Sequence, residues 1–68
     1  MDEEVFNIQL RKFLKKVGIQ SQREFEKAIR DGIAQGSLEG VETLKASARL
    51  QVLGVDLDVT IEDDIKLA

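Results

Sequence analysis

Apolar residues recur at spacings of three and four through the first part of the chain, which is the period of one face of an α-helix. They are Phe6, Leu10, Phe13, Leu14 and Val17. The pattern predicts a first helix from about Asp2 to Val17, with an acidic start and a lysine-rich end that both complement the helix dipole. Gly18 follows directly, where a left-handed residue commonly ends a helix, and Ile19 is placed to fold back on the last turn. We therefore expect the first helix to stop at Gly18.

A second helix is predicted to begin at Ser21. Ser21 and Glu24 fit the S-x-x-E capping box, in which each side chain satisfies a backbone N–H at the start of a helix. The apolar face of this helix is formed by Phe25, Ala28, Ile29, Gly32 and Ile33. Gly36 is expected to end this helix after about Gln35. Because so few residues separate the two helices, we expect them to pack as an αα-hairpin.

The period of the apolar positions changes to two after a polar loop, which indicates half-buried strands. The alternating apolar positions are Leu44, Ala46, Ala48, Leu50 and Val52, followed by Val55, Leu57, Val59 and Ile61. Two such runs with Gly54 between them predict an antiparallel β-hairpin. The predicted fold class is α+β (ααββ), an αα-hairpin packed in two layers on a two-stranded β-hairpin, with residues 1–68 forming a single domain.

Two registers of the hairpin keep both apolar faces on the same side of the sheet. In the first, Arg49 lies opposite Asp58 and Lys45 lies opposite Glu62, so that the outer face gains two opposite-charge pairs.

The second register makes Gly54 and Val55 the turn, which suits the preference for glycine at the first position of a type II′ turn. It sets Leu44 opposite Ile65 and avoids facing Leu44 with Asp63, and for that reason we favour it.

The composition and charge are those of a small globular protein that has no disulfide bond. The chain has 68 residues, of which 43% are hydrophobic and 34% charged, and it has no cysteine. A domain of this size is near the lower limit for folding alone. Residues 1–35 carry a net charge of +1 and residues 36–68 a net charge of −4, which sum to the −3 of the whole chain. No apolar run is long enough for a membrane span, and the acidic start differs from a signal peptide, so we expect a cytoplasmic protein.

Catalytic chemistry is poorly represented in the sequence. The absence of histidine, cysteine, tyrosine and tryptophan removes the usual general base, the thiolate nucleophile and the preferred transition-metal ligands. We predict no catalytic residue, no cofactor site and no metal site, and hence no enzyme. The cluster Glu62, Asp63 and Asp64 has oxygen ligands that a hard cation prefers. It lacks the twelve-residue calcium spacing, so the polar end of a strand is the favoured interpretation.

The best functional candidate is a basic face on the two predicted helices. Arg11, Lys12 and Lys15 lie on the outer face of the first helix, with Arg23 on the second, and Ile8 lies among them about 200° from Phe6 at about 100° per residue. An exposed apolar residue beside cations indicates a protein-protein interaction module, with an unknown protein or a second copy as partner. Weak nucleic-acid binding through the same face is the alternative, and a charged face that only meets water is the interpretation without a function. Acidic residues interleaved on the second helix weaken a helix-turn-helix interpretation.

Four segments carry a resemblance to a known family. They are Phe6-Asn7, Arg11-Lys12-Phe13-Leu14-Lys15, Val17-Gly18 and Ser21-Gln22-Arg23-Glu24. In these segments the chain resembles a small family of bacterial proteins of about this length that is classed as a domain of unknown function. The resemblance implies a bacterial cytosolic protein. It assigns no activity, so it transfers no functional residue.

Overall fold

The chain forms one long helix and one β-hairpin. A computed structural model describes residues 1–68, with helix α1 over Glu3–Ala34, strand β1 over Thr43–Gln51 and strand β2 over Asp58–Lys66. Two compact units, Met1–Ser37 and Leu38–Ala68, are described separately below. The α+β class is confirmed. The prediction of an αα-hairpin is wrong, because a single helix occupies the residues of both predicted helices.

Gly18 and Ser21 lie inside α1, so neither the predicted stop nor the predicted capping box is formed. Gly18 does not have the positive φ that a left-handed terminator requires. A glycine in a helix interior costs only about 1 kcal/mol against alanine. A break would instead leave four N–H and four C=O groups without helical partners. The continuous helix therefore costs less than the break, and Ile19 continues along its surface without folding back.

Both ends of α1 are capped by local sequence. The Asp2 carboxylate accepts hydrogen bonds from the backbone N–H groups of Glu4 and Val5, at 3.0 and 3.1 Å, as an N-cap residue does. At the other end Gly36 has a φ of +83°, and the N–H of Ser37 donates to the carbonyl of Gly32 at 2.9 Å. This is the Schellman arrangement. The prediction that Gly36 ends the helix is confirmed.

The hairpin has the favoured register. Leu44 pairs with Ile65 and Leu50 with Val59, so the apolar positions of β1 and β2 share one face of the two-stranded sheet. Asp63 also falls on that face, opposite Ala46.

The two ion pairs that favoured the other register form diagonally in this one. Arg49 pairs with Thr60 in the ladder, yet its guanidinium donates two hydrogen bonds to the Asp58 carboxylate, at 2.8 and 2.7 Å. Lys45 reaches Glu62 at 3.4 Å in the same manner. Diagonal cross-strand neighbours are within reach of long side chains, which is why these pairs did not decide the register.

The turn is wider than the two residues predicted. The ladder ends at Gln51 and Asp58, and the N–H of Leu57 donates locally to the carbonyl of Val55 at 3.1 Å. This bond spans two residues, as in a γ-turn. Gly54 has a φ of +98° in the middle of the loop.

No side chain of the chain is fully buried. Within the helical unit the least exposed residues include Val17, Ser21, Ile29 and Gly32, which lie on one side of α1. Within the hairpin unit they include the inward positions Leu44, Ala46 and Leu50. The amphipathic faces predicted from the sequence are therefore present, while many of their large apolar side chains stay open to solvent.

Candidate interaction surface

The continuous helix brings three of the predicted surface residues to one shallow groove. The groove is lined by Lys12, Lys15, Lys16, Ile19, Gln20 and Arg23. At about 100° per residue, Lys12 and Arg23 lie within about 20° of one another around the axis, separated by about 16 Å along it. Arg23 was predicted on a separate helix. Its place beside Lys12 and Lys15 follows from the unbroken passage through Gly18.

The other two predicted residues occupy different positions on α1. Ile8 lies one turn before Lys12, within about 40° of it around the axis, and its side chain is 55% exposed. It extends the groove towards the N-terminus. Arg11 lies about 100° from Lys12 and does not line the groove. Four of the five predicted residues thus share one face, which we call the basic groove: Ile8, Lys12, Lys15, Lys16, Ile19, Gln20 and Arg23.

The cations of this region have no intramolecular partners. Residues 5–23 contain five basic side chains and no acidic one, so no carboxylate stands three or four residues from Arg11, Lys12, Lys15 or Lys16. The end of the same helix differs: Lys27 contacts Asp31 at 2.7 Å and Arg30 contacts Glu26 at 3.2 Å. The carboxylate beside Lys27 raises the pKa of its ammonium group. The basic groove therefore presents charge that the fold itself leaves uncompensated.

Ile19 was not predicted as a surface residue, whereas Lys16 belongs to the basic cluster expected on the outer face of the first helix. Ile19 had been assigned to the chain reversal after Gly18, whereas its side chain is 45% exposed at the centre of the basic groove. The spacing was available in the sequence: Ile8, Lys12, Lys15, Ile19 and Arg23 are three or four residues apart. Only the assumed break at Gly18 concealed it.

A second face of α1 is apolar and also open. Phe6, Phe13 and Phe25 are 51%, 57% and 42% exposed, and Leu10 and Leu14 are exposed as well. Phe6 and Phe25 lie on the side of the helix away from the basic groove, and Phe13 borders the groove three residues before Lys16. A single helix thus carries an apolar stripe and a basic groove on different sides.

The acidic residues at the end of β2 do not form a metal cage. No group of three or more acidic residues in the chain is arranged to hold a metal ion. The Glu62 carboxylate faces Lys45, and the Asp63 carboxylate accepts a hydrogen bond from the backbone N–H of Asp64 at 2.8 Å. Successive side chains of a strand point to opposite faces, so Asp63 points away from Glu62 and Asp64.

The loop before β1 is organised by one carboxylate. Glu42 accepts hydrogen bonds from the backbone N–H groups of Glu39, Gly40 and Val41, at 2.8, 2.9 and 3.1 Å. These bonds favour the ionised form and lower the pKa of Glu42 below its ordinary value. The carboxylate of Glu42 thus holds the loop that leads into the hairpin, and we assign it a structural role.

Comparison with known proteins identifies the family. The chain matches, over residues 1–68, the model of a family of unknown function, DUF6494, and it belongs to that family. No curated protein matches it, and no solved structure matches it. The predicted resemblance to a family of unknown function is confirmed. Separately, no helix of the chain combines the length and the apolarity needed to cross a bilayer.

Proposed function

We propose that this member of the family is a non-catalytic protein-interaction module whose basic groove binds an acidic segment of a partner protein. One observation supports the proposal most directly: residues 5–23 of α1 carry five cations without a carboxylate among them. The exposed Ile19 stands between those cations, and the exposed Ile8 stands one turn before Lys12. The proposal leaves the partner unnamed beyond this chemistry.

The basic groove combines the two properties of a selective docking surface. Lys12, Lys15 and Arg23 attract an acidic segment and speed its encounter, because charge complementarity acts mainly on association rate and specificity. Ile8 and Ile19 offer the apolar contact that is desolvated on binding, where interfaces concentrate their affinity. A surface made only of cations would have no reason to place isoleucine at its centre.

Nucleic-acid binding is the second candidate, since the same cations would meet phosphates. Single-stranded nucleic acid is bound by stacking its bases on aromatic side chains. None of the three phenylalanines of this chain lines the basic groove; Phe6 and Phe25 lie on the other side of α1, and Phe13 lies at the edge of the groove. An aliphatic anchor without an aromatic one favours a protein partner.

The test measures fluorescence anisotropy of labelled probes titrated with the full chain. The probes are an acidic amphipathic peptide with leucine on one face and glutamate on the other, the same peptide with its leucines replaced by glutamine, and a short DNA in both single-stranded and duplex form. We expect the leucine-containing peptide to bind most tightly, and its binding to weaken as salt rises.

Variants separate the two candidates. The double variant Lys12→Glu, Lys15→Glu is expected to weaken peptide binding by about tenfold or more, since each buried or half-buried charge contact is worth about 1 kcal/mol or more. The double variant Lys27→Glu, Arg30→Glu makes the same charge change on the same helix, beyond the last residue that lines the groove. It also removes the ion pairs with Asp31 and Glu26, so far-UV circular dichroism must first show an intact helix; this variant should then bind almost as the wild type does. Ile8→Ala and Ile19→Ala should each weaken peptide binding and leave DNA binding less affected, because both variants keep the charge of the groove.

Two results would overturn the proposal. One is equal binding by the groove variant and its matched control, which would reduce the effect to net charge. The other is tighter binding of DNA than of either peptide with no effect of Ile19→Ala, which would favour the nucleic-acid candidate.

A further inference from the structure

The apolar stripe of α1 repeats every eleven residues. Its members on one line of the helix are Leu10, Leu14, Val17, Ser21, Phe25, Ala28 and Gly32. Leu10, Ser21 and Gly32 stand eleven apart, and so do Leu14 and Phe25. An eleven-residue repeat has about 3.67 residues per turn, close to the natural helix, so the stripe runs along α1 for about 33 Å at about 1.5 Å per residue. No member of the stripe is charged.

The spacing of the stripe is the same read in either direction. From Leu10 to Gly32 the intervals are four, three, four, four, three and four, with Ser21 at the centre. An antiparallel copy of the helix, related by a two-fold axis at Ser21, therefore sets every stripe residue opposite another. Closed two-fold dimers use such self-complementary patches.

Side-chain sizes are complementary in the same arrangement. The first half of the stripe is large and the second half, Phe25 apart, is small. The two-fold axis places Leu10 opposite Gly32 of the second copy, and Leu14 opposite Ala28 of the second copy. A parallel pair would instead put the large leucines against one another and the glycines across a gap, which close packing disfavours.

The exposed area is sufficient for a modest interface. Phe25 belongs to the stripe, and Phe6 and Phe13 flank it by about 60–80° around the axis. Taking about 200 Å² for an aromatic side chain, the exposed fractions of these three side chains amount to at most about 300 Å² per chain, or about 600 Å² from two chains. With Leu10 and Leu14 added, the two chains offer somewhat less than the ~1,000 Å² expected of a specific interface, so the dimer is a weak one. We propose that two copies of this chain associate through the apolar stripes of α1 as an antiparallel, two-fold dimer.

This dimer is independent of the ligand proposed above. It uses the other side of α1, so each copy keeps its basic groove open. The charge-reversed groove variant should still associate, and a variant that stays monomeric should still bind one peptide. Failure of one proposal is therefore distinguishable from failure of the other.

Sedimentation equilibrium of the full chain, over about 5–500 μM as suits a weak complex, is the first test. We expect the mean mass to rise from 7.6 kDa towards twice that value. Leu14→Lys should hold the protein at the monomer mass, because it sets a charge against an apolar partner. Val5→Lys, about 180° away around the same helix, is the matched control and should associate as the wild type does. Far-UV circular dichroism establishes that both variants keep their helix.

Cysteine cross-linking tests the orientation, since the native chain has no cysteine. Ser21→Cys lies on the proposed axis and should form a disulfide dimer when oxidised with diamide. Asn7→Cys lies near the stripe but about 42 Å from its counterpart along the helix axis, so it should not.

Three results would refute the dimer or its orientation. A monomer mass at every concentration refutes the association. Unchanged association of Leu14→Lys refutes the surface, and equally fast cross-linking of Asn7→Cys and Ser21→Cys refutes the antiparallel arrangement.

Discussion

Substitution of Gly18 by alanine distinguishes a continuous helix from a helical hairpin by the sign of its effect. Gly18 has a helical backbone, and a Cβ added there would meet nothing within 4 Å. Alanine should therefore stabilise the protein by about 0.5–1 kcal/mol, through helix propensity and a less flexible unfolded chain. In a helical hairpin Gly18 would be left-handed, and alanine would cost about 1–2 kcal/mol.

The assay is thermal and urea unfolding followed by far-UV circular dichroism at one fixed protein concentration. A gain of 1 kcal/mol raises the Tm of a domain of this size by about 4–8 °C. Gly36→Ala is the matched control, because Gly36 also has open space around a Cβ but has a φ of +83°, so its Tm should fall. A fall in Tm for Gly18→Ala would refute the continuous helix.

Three further substitutions probe local features of the fold. Asp2→Ala removes the N-cap of α1 and should lower the unfolding free energy by about 1 kcal/mol, measured by urea unfolding. Glu42→Gln should speed amide exchange in the loop before β1, which NMR measures. Folding lowers the pKa of Glu42, so the stability that this carboxylate contributes is present above its unfolded pKa and is lost as pH falls through its folded pKa. The variant should lack that dependence on acid. Asp58→Asn should weaken the hairpin only slightly, because an exposed ion pair contributes little to stability. The Arg49 hydrogen bond lowers the pKa of Asp58, so the difference in stability between variant and wild type should vanish in acid. A pH series of NMR shifts on β1 would check this.

The elements with strong local signals were predictable from the sequence. Alternation predicted both strands, although Val52, Val55 and Leu57 continue the alternation and lie in the turn. The avoidance of a Leu44–Asp63 pair selected the observed register. Asp2 and Gly36 end the helix through side-chain and backbone bonds to residues within five positions. Such signals need no tertiary information, which is why they were sufficient.

The predicted break at Gly18 failed because local stop and start signals are also tolerated inside a helix. A glycine followed by S-x-x-E costs about 1 kcal/mol of stability when it stays helical. This is less than the free energy of the several backbone hydrogen bonds that are lost when the helix breaks. The informative signal was the phase of the apolar positions. Val17, Ser21 and Phe25 continue one line across Gly18, whereas two separate helices would have no reason to share a phase.

The stability of α1 depends on what covers its apolar stripe. A helix of 32 residues with no buried residue gains little from propensity alone, since most helical stability in proteins comes from packing an amphipathic face. If the apolar stripe is covered by a second copy, dimerisation must stabilise the folded state by mass action. The Tm should then rise with protein concentration in the wild type and in Val5→Lys, but not in Leu14→Lys. A Tm independent of concentration in all three would mean that α1 is stable without its stripe being covered by another chain.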